Sequence, residues 1–219
     1  MIRMTMKIHD PENLIPDTNH LLEIIASHPF DGQLINKIKK ICIIRSEQFG
    51  IAKEKIEIDI DTGFVSLGIG QCTPSKSNYE FILYHEFGHV ADIMCPEFGY
   101  SEIRKCSLSN TERICVMELW NAYINSRLDS YGLYKPSGSV CYGTLNGEFQ
   151  EFPGTTEGEL MVHKATLERE GFPYEQADLV IKRIWENRYE SLTYPEIIKI
   201  VSDVFANKRI QTDAAAPRR

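Results

Sequence analysis

The chain has 219 residues, 42% of them hydrophobic and 25% charged, which is the balance of a globular protein able to bury its own core. Its net charge of −7 and the lack of a basic run argue against a nucleic acid or a membrane surface as partner. No apolar run approaches the roughly 18 residues of a membrane span.

Two helices are predicted at the start of the chain, over residues 17–30 and 31–50. The second is favoured by apolar residues that recur near helical spacing, namely Leu34, Ile38, Ile41 and Phe49. Gly50 is a suitable residue to end it. Both predictions rest on local periodicity alone.

A β-hairpin is predicted next. Ile56, Ile58 and Ile60 alternate with acidic residues, which is the period of a strand, and Asp61-Thr62-Gly63 forms a turn before the second strand, residues 64–70. Two strands alone are marginally stable, so we expect them to pack on helices or on a further strand. We place the strand 64–70 at a sheet edge, where it either binds an extended substrate as an added strand or only completes the hairpin.

The segment 78–97 is apolar and compatible with a helix, and it contains His85-Glu86-Phe87-Gly88-His89. Positions i and i+4 of a helix lie about 40° apart on one face, with Cβ atoms roughly 5–6 Å apart, so two imidazoles placed there can bind one metal ion. Glu86 lies about 100° further round, where it can take a proton from water instead of ligating. A separate stripe suits the core, formed by Leu83, Phe87, Val90 and Met94.

Helices dominate the rest of the chain. A long helix is predicted over residues 109–132, with a capping box of Ser109 and Glu112 and a stop at Gly132. Residues 134–156 are rich in glycine and predict a loop with room for a short hairpin. Three closing helices follow, and the last residues predict a disordered tail. The helices are expected at 156–170, 174–190 and 194–207, and the tail at 209–219.

These elements predict an α+β, mainly helical fold in one domain over residues 1–208. A small N-terminal sheet lies over the motif helix in a first lobe, about 1–95, and helices form a second lobe, about 96–208. The functional site is expected between the lobes.

The motif His85-Glu86-Phe87-Gly88-His89 resembles the H-E-x-x-H signature of zincin metallopeptidases. The resemblance implies a zincin-like fold, a zinc (Zn²⁺) cofactor bound by His85 and His89, and Glu86 as general base. One zincin subtype has a longer motif whose third ligand would fall at Cys95, although this chain has Asp92 where that motif has glycine and a cysteine where it has histidine.

The other subtype, the gluzincin-like one, takes a glutamate from a later helix, here Glu118. The stretch 118–128, ELWNAYINSRL, also resembles the third-ligand helix of the ImmA/IrrE-type metallopeptidases, with its Asn and Ala in swapped order. Glu118 shares a helix stripe with Asn121 and Asn125, and buried polar groups need partners, which a metal with surrounding hydrogen bonds supplies. Two alternatives remain: Glu118 is a solvated helix residue, or Glu112 ligates instead.

The predicted function is zinc-dependent hydrolysis of a peptide or protein substrate, with water as nucleophile and Glu86 as base. Such a site needs a second group to stabilise the oxyanion, and His163 and Tyr142 are the candidates. The alternatives are hydrolysis of a non-peptide amide and a non-catalytic or regulatory zinc-binding module. An intact Glu86 argues against the module, because a structural zinc site needs no acid–base carboxylate.

The six cysteines stand at positions 42, 72, 95, 106, 115 and 141, and none forms a C-x-x-C pair. A zinc site built from cysteines alone is therefore not expected. The first residues lack the apolar core of a signal peptide, which favours a cytoplasmic location. In that compartment we expect reduced thiols.

Overall fold

The computed structural model describes residues 6–45, 55–69, 76–134, 140–143, 149–152, 155–186 and 191–215. They form an α+β, mainly helical structure with a small four-stranded sheet, which confirms the predicted fold class at this level. The chain divides into two compact units. Unit 1 comprises Met1–Pro96 and Leu128–Lys135, and unit 2 comprises Glu97–Arg127 and Pro136–Arg219.

Unit 1 holds the sheet and the motif helix. Its described strands are β1 (Lys7–His9), β2 (Lys40–Arg45), β3 (Lys55–Asp59) and β4 (Phe64–Ile69), and its helices are α1 (Thr18–Ala26), α2 (Leu34–Lys37) and α3 (Lys76–Ile93). Helix α1 lies within the first predicted helix, and its N-cap is Asp17, whose side chain accepts from the amides of Asn19 and His20.

The predicted helix over 31–50 is wrong. The short helix α2 ends at Lys37, and β2 follows after two residues. Ile41 and Ile43 are fully buried while Ile44 is exposed, so burial in β2 alternates with the period of a strand. The β-branched isoleucines suit this conformation, and pairing with strands on both sides outweighs the weak helical periodicity. Gly50 lies outside the described residues.

The order of strands in the sheet is β1-β2-β4-β3. β2 is parallel to both β1 and β4, and β3 and β4 form the predicted antiparallel hairpin, with Ile58 opposite Val65. Because β4 is hydrogen-bonded on both sides, it is an interior strand, and the prediction that it lies at an edge and binds substrate there is wrong. The outer strands among the described residues are β1 and β3.

The turn before β4 depends on Gly63. Its φ is +64°, and its carbonyl accepts hydrogen bonds from the amides of Lys39 and Lys40, which join the turn to the start of β2. A Cβ at this position would lie 2.6 Å from the carbonyl oxygen of Lys37. Glycine is therefore required here both by conformation and by space.

The core of unit 1 lies between the sheet and the helices. The apolar stripe predicted on α3 contributes Leu83, Phe87 and Val90, which are fully buried, while Met94 is partly buried against the same cluster. They pack with fully buried residues of the sheet and of α1, namely Ile41, Ile43, Val65, Leu67, Leu21 and Ile25. The position of the motif helix against the N-terminal sheet agrees with the prediction.

Unit 2 is mainly helical. After a 3₁₀ turn at Pro96–Phe98 come α4 (Glu102–Cys106) and α5 (Asn110–Ser130), whose last residues belong to unit 1. The capping box of α5 is confirmed, since the Ser109 amide donates to Glu112 Oε2 at 2.8 Å and the Glu112 amide to Ser109 Oγ at 3.2 Å. Gly132, at φ +69°, follows the helix as predicted.

The predicted hairpin and closing helices are also present. Strands β5 (Val140–Gly143) and β6 (Phe149–Phe152) are antiparallel, and α6 (Thr156–Arg169), α7 (Tyr174–Glu186) and α8 (Tyr194–Ala215) follow. Helix α8 continues to Ala215, through most of the segment predicted as a disordered tail. In the part of the chain that the structure describes, no helix has the length and apolar character needed to cross a membrane.

Three glycine variants test the turn at Gly63. Gly63→Ala places a Cβ on a residue with left-handed φ and also brings that Cβ into a clash with the backbone. We expect it to lower the free energy of unfolding by at least about 2 kcal/mol. Gly132→Ala adds only the φ penalty, about 1 kcal/mol, because nothing lies within 4 Å of its Cβ. Gly32→Ala has neither problem and should be near neutral. Urea unfolding measures all three, and equal losses at positions 63 and 132 would contradict the role of the clash.

Candidate metal and catalytic site

The two motif histidines lie together on α3. Their ring centroids are 5.0 Å apart with an angle of 75° between the planes. His89 is buried, with 6% of its surface exposed, and His85 is half-buried beside the ring of Phe81. The pair therefore occupies one face of the helix, as the i, i+4 spacing predicts.

Glu86 follows His85 on the same helix and is also half-buried. Its neighbours on the chain, Phe87 and Gly88, are buried, so the carboxylate is attached to a part of α3 whose backbone is held in the core. A rigid helix of this kind positions a catalytic group more accurately than a loop does.

His28 holds the motif helix at a point that sequence reasoning missed. Its Nε2 lies 2.9 Å from the carbonyl oxygen of Tyr84, the residue before His85. The Phe30 amide donates to Nδ1 of the same ring at 3.4 Å, so Nδ1 is the acceptor and Nε2 carries the proton that Tyr84 accepts. His28 is buried, and a histidine that ends a predicted helix carries no sequence signal for this contact.

Glu118 belongs to a buried polar cluster within unit 2. His163 Nδ1 donates to Glu118 Oε1 at 2.8 Å, and the Asn125 Nδ2 amide lies 3.3 Å from His163 Nε2 and 3.4 Å from Glu159 Oε1. We call these four residues the Glu118 cluster. Only 13% of the Glu118 side chain is exposed, so the alternative of a solvated glutamate is wrong.

Two polar residues of the predicted stripe on α5, Glu118 and Asn125, have hydrogen-bond partners on α6, namely His163 and Glu159. Asn125 is buried in the Glu118 cluster, while Asn121 is half-buried on α5, and its role near a metal stays a prediction. The sequence does not indicate Glu159 as part of the cluster, because its contact with Asn125 joins residues of two different helices. Glu112 is occupied in the capping box of α5, which argues against the alternative that it ligates.

The charges of the Glu118 cluster change the pKa of His163. Burial lowers its pKa, but the hydrogen bond to Glu118 and the negative charges of Glu118 and Glu159 raise it by more, so the pKa lies above its ordinary value. Burial of the two carboxylates is in turn compensated by their partners, because a buried charge without a hydrogen bond is costly.

The donor set fits zinc in its chemistry. Two imidazoles and one carboxylate form one of the usual ligand sets of a catalytic zinc, and rings 5.0 Å apart allow one nitrogen of each to approach a common ion. Glu118 uses Oε1 for His163, and among the described residues its Oε2 makes no hydrogen bond. However, no three His, Cys, Asp or Glu side chains in the described ranges are grouped so that they could hold a metal ion. Zinc ligation by His85, His89 and Glu118 therefore stays a prediction.

The other candidate residues lie as follows. Cys95, just after α3, is half-buried and forms no disulfide with a described residue. Its amide donates to the Asp92 carbonyl, but it is not grouped with the two histidines of its own unit to hold a metal ion. The side chain of Tyr142 lies outside the described residues. The other described cysteines that form no disulfide are Cys42, Cys106 and Cys115.

A cavity of about 400 Å³ lies elsewhere in unit 2, between α7 and α8. None of the predicted site residues lines it. Two of its charged residues, Lys199 and Asp203, pair with each other at 2.5 Å, and Glu196 accepts from the amide and hydroxyl of Thr193 at the start of α8.

Comparison with protein-family models, with curated proteins and with solved structures finds no match for this chain. The resemblance to zincins rests on the motif residues and on the stretch 118–128. The function is therefore argued from the chemistry of these side chains.

Single-histidine variants test the paired imidazoles. Purified protein should carry about one zinc ion per chain, and His85→Ala or His89→Ala should each lose most of it, because one imidazole and a carboxylate hold zinc weakly. His9→Ala is the control, since that histidine is exposed on β1 and is not part of the motif. Metal analysis by mass spectrometry gives the result. Zinc retained in full by either motif variant would remove that residue from the ligand set.

Proposed function

We propose that this protein is a zinc-dependent hydrolase with a zincin-like arrangement, and that its substrates are peptides or proteins. The observation that carries the proposal is the His85–His89 pair, 5.0 Å apart on one face of a helix buried against the sheet, with Glu86 beside it. The pair consists of one buried and one half-buried imidazole next to a half-buried carboxylate, and metal-assisted hydrolysis uses all three groups.

The residues take separate roles in this proposal. His85, His89 and Glu118 hold the metal, with Asn121 and Asn125 near the third ligand. Zinc bound there would polarise the substrate carbonyl and lower the pKa of a coordinated water toward about 7. Glu86 accepts a proton from the attacking water and delivers it to the leaving amine. His163 and Tyr142 are the candidates for stabilising the oxyanion.

An extended peptide is a suitable substrate because unit 1 has an outer strand next to the motif helix. β3 is hydrogen-bonded to β4 on one side, and no described strand covers its other side. Ile56 and Ile58 of β3 pack toward the core that contains α3, so a peptide added along β3 would run beside that helix. Backbone hydrogen bonds to such a strand bind peptides of many sequences. The strand proposed to pair with substrate is therefore β3 and not the interior strand β4.

The proposed setting is the cytoplasm. Four cysteines described by the structure form no disulfide, including the buried Cys115, whose pKa is raised to about 12 chiefly by burial. A thiol with so high a pKa is unreactive near neutral pH, since the thiolate is the reactive form. Cysteines outside any disulfide accord with a reducing compartment.

Glu86→Gln tests the general base. The amide has the same shape but cannot accept a proton, so the variant should keep its zinc and its fold while losing about 10²–10⁴ in rate. A screen of a peptide library finds a cleaved substrate, and the rates on that substrate are then compared. Glu80→Gln is the matched control, because Glu80 lies on the same helix outside the motif and 38% of its side chain is exposed. Full activity of Glu86→Gln on a confirmed substrate would refute the mechanism.

The third ligand is tested by comparing Glu118→Ala with Cys95→Ser. Loss of a ligand should lower zinc affinity by at least about tenfold, so Glu118→Ala should release zinc to a chelator at lower concentration than the wild type. Cys95→Ser should leave the affinity unchanged. Competition with a chromogenic chelator measures both variants. The opposite result, release by Cys95→Ser alone, would make Cys95 the ligand and exclude the gluzincin-like subtype.

A further inference from the structure

The cavity between α7 and α8 has the size of a small-molecule site. Its volume is about 400 Å³, and it is partly open to solvent. Two helix faces form its sides, because the α7 residues that line it are spaced i, i+3 and i+4, and those of α8 are spaced i, i+3, i+4 and i+7. Its described lining residues all belong to unit 2, so the cavity lies within one compact unit.

Half of the described lining residues are apolar or aromatic. Tyr123 and Ile184 are buried, while Val180, Leu192 and Ile200 are half-buried. The Tyr123 hydroxyl accepts a hydrogen bond from the Leu192 amide at 3.0 Å, which joins α5 to the segment before α8. A ligand with an apolar body would remove this surface from water, and that removal favours binding.

Both carboxylates that line the cavity have partners in the protein. Asp203 pairs with Lys199 at 2.5 Å. Glu196 Oε2 accepts from the amide and the hydroxyl of Thr193, each at 2.7 Å, and these hydrogen bonds lower the pKa of Glu196. Because their charges are already compensated, neither carboxylate requires a cation from a ligand.

Arg183 differs from these charged residues. It lines the cavity from α7 and is exposed, and among the described residues it has no hydrogen bond or ion pair. Its neighbour Lys182 pairs with Asp178 at 2.9 Å and does not line the cavity. A guanidinium is a planar fork of N–H donors that matches the two oxygens of a carboxylate. The cavity therefore combines an apolar lining with one cation that a ligand can pair with.

We propose that this cavity binds a small monocarboxylic acid with an apolar body, whose carboxylate pairs with Arg183 and whose body covers the apolar lining. A single negative charge suits the site better than two, because Glu196 and Asp203 add negative charge to the same lining. The inference is independent of the proposed hydrolase activity, since the motif histidines belong to unit 1 and the cavity to unit 2.

Two fluorescent probes with the same apolar body test the site in the full-length protein. Anilinonaphthalene sulfonate carries one anionic group, and phenylnaphthylamine lacks it. We expect the anionic probe to bind saturably to one site per chain, and decanoate to displace it. Absence of saturable binding, or failure of decanoate to displace the probe, would overturn the proposal.

Recognition of the charge is tested by removing one cation at a time. Arg183→Gln should weaken binding of the anionic probe by about three- to tenfold, because a charge-assisted hydrogen bond is lost at a partly exposed site. The same variant should leave the affinity for the neutral probe unchanged. Lys182→Gln is the matched control, since it removes the same charge one residue away. Equal losses of anion affinity in the two variants would show an effect of net charge alone and would contradict the role of Arg183.

The place of binding is tested by filling the cavity. Val180→Trp adds an indole to its lining and should weaken binding of both probes, whereas Leu179→Trp should not, because Leu179 is 67% exposed on the same helix and does not line the cavity. Circular dichroism checks folding. If Val180→Trp does not fold, Ser191→Trp replaces it, because Ser191 is an exposed lining residue. Unchanged affinity in the folded lining variant would place the probe elsewhere and refute the site.

Discussion

The structure of unit 1 depends on the burial of one stripe of α3 against the sheet. Leu83, Phe87 and Val90 are fully buried there, and each such side chain contributes about 1.5–3 kcal/mol. Their burial sets the rotation of the helix about its axis. Because neighbouring residues differ by about 100°, a slip of one residue would turn the face that carries both His85 and His89 by that angle. The packing of the core and the geometry of the candidate site are therefore a single constraint.

Unit 2 contains a cluster of buried polar groups that are paired with one another. Glu118, Asn125, Glu159 and His163 would each be costly inside the protein, yet their hydrogen bonds join them into one network across α5 and α6. The network joins α5 to α6 through hydrogen bonds between their side chains.

The polar residues that hold the motif helix lie on different parts of the chain. His28 follows α1 and donates to the carbonyl of Tyr84, so a loop residue helps to fix the helix at the turn that carries His85. Gly63 has a comparable effect on the sheet, where its carbonyl joins the turn before β4 to the first residues of β2. In both cases the stabilising hydrogen bond uses a backbone carbonyl, that of Tyr84 for His28 and that of Gly63 itself.

Local signals in the sequence were sufficient for the motif helix with its two histidines, for the capping box of Ser109 and Glu112, and for the turn at Gly63 between β3 and β4. Each depends on residues within a few positions of one another, so the sequence alone determined them. Tertiary structure decided that residues 40–45 are a strand and that β4 is interior, because pairing with distant strands outweighs periodicity. It also decided that His163 contacts Glu118, since residues 45 positions apart meet only when α6 packs on α5.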